Sequence, residues 1–251
     1  PGISWRRPIP WPIWAWRLGK GEQRIVLVGG IHGSYEANSA RLAELLANHF
    51  RLHRADVLPG IQLVIIPAAN PDGLAYRSDD PDDLAGRFNA NGVDLNRNWG
   101  CDWAEEATLR DIPVDPGPRP FSEPETRALR AYFLAEPLKA AIFYHSQLGA
   151  VFMGACGAEH PAATWMGDLL EEATGYPHRS FTYYDVTGDA TNWLAERGIA
   201  AAVVELSTRT DPEFARNLAG IQALQCHIAL ANGLDDGPAE ALEQAIERLC
   251  R

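Results

Sequence analysis

Residues 24–50 read RIVLVGGIHGSYEANSARLAELLANHF, and the change of pattern inside that stretch decides the fold class. RIVLV is a short unbroken apolar run, as expected for a strand buried on both faces. Two glycines follow. After them Leu42, Leu45, Leu46 and Phe50 recur at helical spacing. The stretch is thus a buried strand followed by an amphipathic helix.

Working outward, the same alternation returns. IQLVIIPAAN (61–70), KAAIFYHS (139–146) and GIAAAVVEL (198–206) read as further buried strands. The first of them runs into NPDG (70–73), a strong turn signal. FSEPETRALRAYFL (121–134), PAATWMGDLLEEATG (161–175) and TNWLAERG (191–198) read as helices, and Ser122 with Glu125 predicts a capping box. From Asp211 onward the chain reads as helix, with a break expected at GLDDGP (233–238). Near the start, Trp14 and Trp16 alternate with smaller residues like a half-exposed strand, and LGKGE (18–22) turns the chain into RIVLV. Tyr76 to about Pro120 is polar and irregular, and a loop of that length is usually functional. Alternating apolar strands and helices imply a single-domain, three-layer α/β/α fold over residues 1–251, with a mostly parallel, mixed, twisted sheet.

The 251 residues suffice for one large domain with a buried core. Lys+Arg 22 against Asp+Glu 33 gives a net charge of −11, so a general attraction for nucleic acid or anionic membrane is excluded as an expectation. No apolar run is long enough for a membrane span. The sequence starts at Pro1, so the lack of a leader says nothing about destination. None of Cys101, Cys156, Cys226 and Cys250 forms a CxxC pair. Cys101 and Cys156 sit in glycine-containing loops, so they could form a disulfide; four unrelated thiols is the other reading. A disulfide would imply an oxidising compartment, and a secreted or periplasmic location is expected over the cytoplasm.

In α/β sheets ligands gather beyond the carboxyl ends of the strands. His32, His145 and Glu205 stand at such ends. A buried strand ending in a histidine or glutamate is a poor choice for packing alone, and three together point to a built site. Zinc suits them: it takes imidazole nitrogen and carboxylate oxygen, and a catalytic site uses three protein ligands with one position open. His32 and Glu36 are four residues apart across the start of a helix, and His145 arrives from a neighbouring strand. One Zn2+ per chain is expected on His32, Glu36 and His145, with Glu205 moving the proton. Trp99, Trp103 and Trp193 read as core or pocket wall, and His49, His53, His160, His178 and His227 as surface or packing residues.

The chain resembles the zinc carboxypeptidases related to carboxypeptidase A. GGIHGSYEAN (29–38), NPDG, GRFNANGVDLNRNW (86–99), FSEPETRAL, YHSQ (144–147), TGDATNW (187–193) and VVEL (203–206) follow in that family's order. The resemblance implies a peptidase with His32, Glu36 and His145 on zinc and Glu205 as general acid/base. It implies that Arg87 polarises the scissile carbonyl, that Asn96 and Arg97 grip the terminal carboxylate, and that Tyr184 closes over the substrate. TGDATNW would line the pocket for the last side chain, with Asp189 and Thr191 as candidates for accepting an amine-bearing residue; Asp189 as a helix cap is the alternative. The implied partner is a peptide with a free C-terminal carboxylate, and the implied unit is a monomer. One departure stands out. Three residues, Gly33, Ser34 and Tyr35, separate His32 from Glu36 where the family has two, which predicts a locally shifted helix start. The chain also looks nearer the compact bacterial members, some of which trim cell-wall peptides. The rival readings are a murein-peptide amidase or a deacylase on the same scaffold, and a non-catalytic zinc-binding module.

Overall fold

The computed structural model describes residues 11–78, 80, 83–161, 163–231, 244 and 247–250; the break expected at GLDDGP lies outside them. The strands are β1 (Trp16–Gly19), β2 (Gln23–Val28), β3 (Ile61–Ile66), β4 (Ala107–Leu109), β5 (Ile112–Val114), β6 (Ala140–Ser146), β7 (Ala150–Met153), β8 (Ala155–Cys156), β9 (Ala158–Glu159) and β10 (Ala200–Leu206). The helices are α1 (Ala37–Leu52), α2 (Pro71–Ala75), α3 (Pro124–Ala135), α4 (Ala163–Thr174), α5 (Ala190–Ala195) and α6 (Phe214–Ala231).

The main sheet has the order β1-β3-β2-β6-β10-β7. Its four inner strands run parallel, and β1 and β7 close the two edges antiparallel. The expected mostly parallel mixed sheet is therefore present. Because strand side chains alternate between faces, the unbroken apolar runs feed two cores. Ile25 and Leu27 pack with Leu42, Leu46 and Phe50 of α1, Met166 and Leu170 of α4, and Ile221 and Leu224 of α6. Val26 and Val28 pack on the other face with Leu129 and Phe133 of α3, Trp193 and Leu194 of α5, and Trp99. Helices thus cover both faces, which gives the three layers. Among the described residues no helix is long and apolar enough to cross a membrane.

Several local expectations change. Trp14 lies outside β1, and β1 pairs with β3 rather than with the strand that its turn leads into. NPDG is not a plain turn: Asn70 caps the short helix α2 by accepting from the Gly73 N–H at 2.9 Å, with Pro71 in the first turn. Ser122 and Glu125 do not form a capping box. Pro124 moves the helix start one residue on, so Glu123 is the N-cap, and Ser122 Oγ instead donates to Glu123 at 2.7 Å. The edge strand β7 and the disulfide Cys226–Cys250 were not expected. The candidate pair Cys101–Cys156 is bonded as well, tying the 76–120 loop to β8.

Candidate active site

The second face of the sheet supplies the site. In β6 the series Ala141, Phe143, His145 points to that face, and in β10 the series Ala201, Val203, Glu205 does the same, by the two-residue period. The strands are parallel and in register, with His145 opposite Glu205. Two polar groups therefore emerge side by side where the apolar ladder ends. His32 lies four residues beyond the end of β2. It is followed by a tight 3-10 turn, Gly33–Glu36, and α1 begins only at Ala37. That turn absorbs the extra residue between His32 and Glu36. Gly33 has φ +49°, and a Cβ there would meet the Gly86 carbonyl oxygen at 2.3 Å and Gly73 at 2.4 Å. Only glycine lets these turns touch, and the contact brings the 84–87 turn, with Arg87, against Glu36.

Three side chains that could hold a metal converge. His32 Nδ1 lies 3.0 Å from Glu36 Oε1, His145 Nδ1 lies 3.1 Å from Glu36 Oε2, and the two Nδ1 atoms are 3.1 Å apart. All three residues are buried. A tetrahedral zinc with arms of 2.0–2.2 Å needs edges of about 3.3–3.6 Å, so the set fits that ion after a slight opening. Two imidazole nitrogens turned on one buried carboxylate is also the donor set that zinc prefers. Burial alone would push Glu36 up; His32 and His145 outweigh it and hold the carboxyl below the usual range.

Asp94, absent from the expected site residues, organises this group. It is fully buried, its Oδ2 accepts from Arg87 Nε at 2.7 Å, and its Oδ1 lies 3.5 Å from His32 Nε2. Were His32 to bind a metal through Nδ1, a carboxylate on its far side would favour that nitrogen facing the centre. Burial tends to raise the Asp94 pKa, but the Arg87 cation and His32 hold it well below the ordinary value. Arg87 is likewise buried; its charge is supported against desolvation by Asp94 and by Glu36, 3.7 Å away. Glu205 is half-buried and accepts the Leu148 N–H at 3.2 Å. Desolvation and, next, the Glu36 charge push it up to about 7, against the pull of His145, Leu148 and Arg87.

The remaining expected residues form one wall. Asp189 caps α5: Oδ1 accepts from the Thr191 N–H (2.7 Å), the Asn192 N–H (3.1 Å) and Thr191 Oγ1 (2.6 Å), and Oδ2 accepts from Asn96 Nδ2 (2.7 Å). Asn96 Oδ1 accepts in turn from the Ala190 N–H. Arg97 donates to the carbonyls of Asn96 and Thr108, and its guanidinium lies 6.0 Å from the Tyr184 ring centre. Burial raises the Tyr184 pKa, opposed by Arg97 and Arg87. The two loops are fused backbone to backbone: Gly188 has φ +60°, an added Cβ would meet the Arg97 carbonyl oxygen at 2.2 Å, and Gly188 exchanges hydrogen bonds with Trp99 and Cys101. Tyr183, next to it in the chain, is exposed and packs on Phe152 and Phe181.

A cavity of about 1020 Å³ is lined by all ten expected residues, from His32, Glu36 and His145 to Glu205, and also by Tyr35, Arg209 and His178. His178, read as a surface or packing residue, stands on its edge beside Asp168. Trp99 and Trp193 are core residues.

Residues 12–154 match the family model described as zinc carboxypeptidase. Carboxypeptidase B of Astacus astacus is 32% identical over 148 residues, covering 52% of this chain and 48% of that protein. Murein peptide amidase A of Escherichia coli K12 is 25% identical over 206 residues, covering 77% of this chain and 75% of that protein. The match thus spans about half the length of the Astacus astacus protein. The structure of bovine thrombin-activatable fibrinolysis inhibitor, in complex with tick carboxypeptidase inhibitor, superposes with a TM-score of 0.73 at 19% identity, over 88% of this chain and 87% of that one, a likeness of fold.

Proposed function

Because the chain belongs to the zinc carboxypeptidase family, we propose that it is a zinc-dependent metallocarboxypeptidase that hydrolyses the C-terminal peptide bond of its substrates. The observation that carries this reading is the convergence of His32, Glu36 and His145 within about 3 Å of one another, next to Glu205, in a cavity that also holds Arg87 and Arg97.

His32 Nδ1, His145 Nδ1 and the Glu36 carboxylate would hold the ion. When bound, zinc supplies Lewis-acid polarisation and brings the pKa of water down to about 7. Glu205 takes the proton from the attacking water and returns it to the departing amine. Arg87, fixed by Asp94, faces the scissile carbonyl and favours the charge that develops on its oxygen. Arg97, with Asn96, receives the substrate's terminal carboxylate through its planar fork. Tyr184 covers the bound peptide. Asp189 and Thr191 belong to the wall for the last side chain, where Asp189 would favour an amine-bearing residue, in competition with its hydrogen bonds to α5. Two disulfides support a secreted or periplasmic location.

A murein peptide amidase is the second reading, favoured by the longer match to that relative. The test is hydrolysis of N-acylated peptides with free or amidated C-termini and of murein peptides, with chelator and with zinc restored. Hydrolysis confined to free C-termini supports the first reading; cleavage of murein peptides alone supports the second. In either case Glu205→Gln should lower kcat by about 10²–10⁴-fold. A Glu205→Gln protein at full rate refutes the assigned base.

A further inference from the structure

Asn38 lies in the first turn of α1, two residues after Glu36, and is buried. Its side-chain hydrogen bonds reach distant parts of the chain. Nδ2 donates to the carbonyls of Thr208 and Asp211, and Oδ1 accepts from Ser146 Oγ at 3.1 Å. Carbonyls can only accept, so these two fix which way the amide is turned. Ser146 directly follows His145 and is itself buried, and Thr208 comes three residues after Glu205. In the parallel β6–β10 register Ser146 pairs with Leu206, one step beyond His145 and Glu205. By the two-residue period, Ser146 points away from the site face, to the side where Tyr144 and Leu206 pack with α1. The turn after Glu205 is braced: Thr208 Oγ1 accepts from the Thr210 and Asp211 N–H groups, and Glu213 accepts from the Ser207 N–H and Oγ. One amide therefore joins, from behind, the three segments that carry Glu36, His145 and Glu205.

We propose that Asn38 is a positioning residue for the reaction: its amide sets the spacing between Glu36, His145 and Glu205, so that the metal-holding side chains and the general base stay in register. The inference rests on the zinc-peptidase reading of the site. Asn38 does not line the cavity, so it acts through these neighbours and not on the substrate. β6 and β10 are fixed to each other by their ladder. α1 meets the sheet largely through apolar packing, which is non-directional and lets a helix slide. Ser39 ties the start of α1 to the end of β2, since its Oγ donates to the Glu36 carbonyl at 2.7 Å and accepts from the Gly30 N–H at 3.1 Å. Asn38 adds the directional tie to the ends of β6 and β10. A misplacement of about 1 Å from a change away from the chemistry can cost on the order of a hundredfold in rate. Gln225 of α6 is a buried amide of the same kind remote from these residues: Oε1 accepts from the Leu58 N–H at 3.1 Å and Nε2 donates to the Asp56 carbonyl at 3.2 Å.

The experiment compares Asn38→Ala and Gln225→Ala with the wild type. Zinc affinity of the metal-free, disulfide-intact proteins is measured by competition with a chromogenic chelator. At saturating zinc, kcat and KM are measured on a peptide that the wild type hydrolyses, and denaturant midpoints are recorded for all three. Asn38→Ala should weaken zinc binding about ten- to hundredfold and lower kcat by a similar factor, with KM nearly unchanged. Gln225→Ala should lose stability as well, because it too unpairs buried backbone groups, yet keep wild-type zinc affinity and kcat. A fall in zinc affinity or kcat that Gln225→Ala does not share sustains the proposal. Wild-type values of both in Asn38→Ala overturn it, as does an equal fall in Gln225→Ala, which would make the effect one of stability alone. If the wild type binds zinc and hydrolyses no peptide, the peptidase reading fails by itself, and zinc affinity decides the role of Asn38: a loss confined to Asn38→Ala sustains it, and equal affinity ends it. Should Asn38→Ala fail to fold, Ser146→Ala, which removes one of the three hydrogen bonds, takes its place, and a zinc affinity and kcat equal to wild type then refute the tie.

Discussion

Asp94→Asn should be among the most damaging single-atom-scale changes available to this protein. The substitution preserves shape, and asparagine can still cap the Asn96 N–H, which Asp94 Oδ1 now accepts at 3.0 Å. What disappears is the negative charge 2.7 Å from Arg87 Nε. Arg87 is 2% exposed and Asp94 0%, so solvent screening cannot compensate for the loss. Removing one partner of a buried, hydrogen-bonded ion pair costs about 3–5 kcal/mol, because the other charge is left in a low-dielectric site. At about 2–4 °C per kcal/mol for a chain of this size, Tm should fall by roughly 6–20 °C. The assay is urea unfolding of metal-free, disulfide-intact protein, run as a cycle of wild type, Asp94→Asn, Arg87→Met and the double variant. Arg87→Met removes the stranded charge, so the double variant should be more stable than the sum of the singles by about 1–3 kcal/mol. Additive losses, or an Asp94→Asn cost under about 1 kcal/mol, would refute the view that Asp94 neutralises Arg87.

Three other outcomes follow from the same geometry. Chelation should lower Tm by on the order of 10 °C, since an ion present at a thousandfold its Kd stabilises the native state by about 4 kcal/mol; zinc should restore it in the wild type and fail to in His145→Ala. Asp189→Ala should cost about 2–4 kcal/mol, the sum of a lost cap and an unsatisfied Asn96 donor, read by denaturant midpoint, whereas a mere pocket acid would leave stability unchanged. Glu125 is 4% exposed, and burial, the largest cause, raises its pKa above the ordinary 4.5, with Glu123 and Asp72 adding to the rise. The folded state thus holds this proton more tightly than the unfolded chain. Its contribution is fully present below pH 4.5 and is lost as pH rises through the folded value. Glu125→Gln should therefore gain stability relative to wild type from acid to neutral pH in thermal melts, and a gap that does not widen with pH would contradict this.

What could be read from the sequence follows the strength of the physical signal. His145 and Glu205 were legible because they end strands of otherwise uncharged, largely apolar residues, and a strand's two-residue period then puts them on one face. The sheet was legible for the same reason. Arg87, Asn96 and Arg97, in a polar loop, and Tyr184, in the segment before α5, had no such signal and stood out only through resemblance to a family. Asp94 lies in the same quoted motif, yet a single acid in a loop looks solvated until Arg87 is seen folded against it. β7 is four residues long, too short for alternation to register. Cys226 and Cys250 show no spacing signature, since their meeting depends on where α6 lies. The cap at Glu123 was misread because Pro124 fixes the helix start more firmly than the Ser122–Glu125 pattern does. The segments that Asn38 joins are far apart in the chain, and nothing local links them.

The close approach at Gly188 has a mechanical result. Residues 96–101 and 187–190 share hydrogen bonds with no room for a side chain in the gap, so they behave as one stiff plate rather than as two loops. Among the described residues, the aromatic segment 181–184 lacks such a backbone tie: its rings rest on each other and on Phe152, and Tyr184 also meets Arg97. Under the proposed function, the part of the wall that carries Asn96 and Arg97 would stay still and any opening for a peptide would fall to residues 181–184.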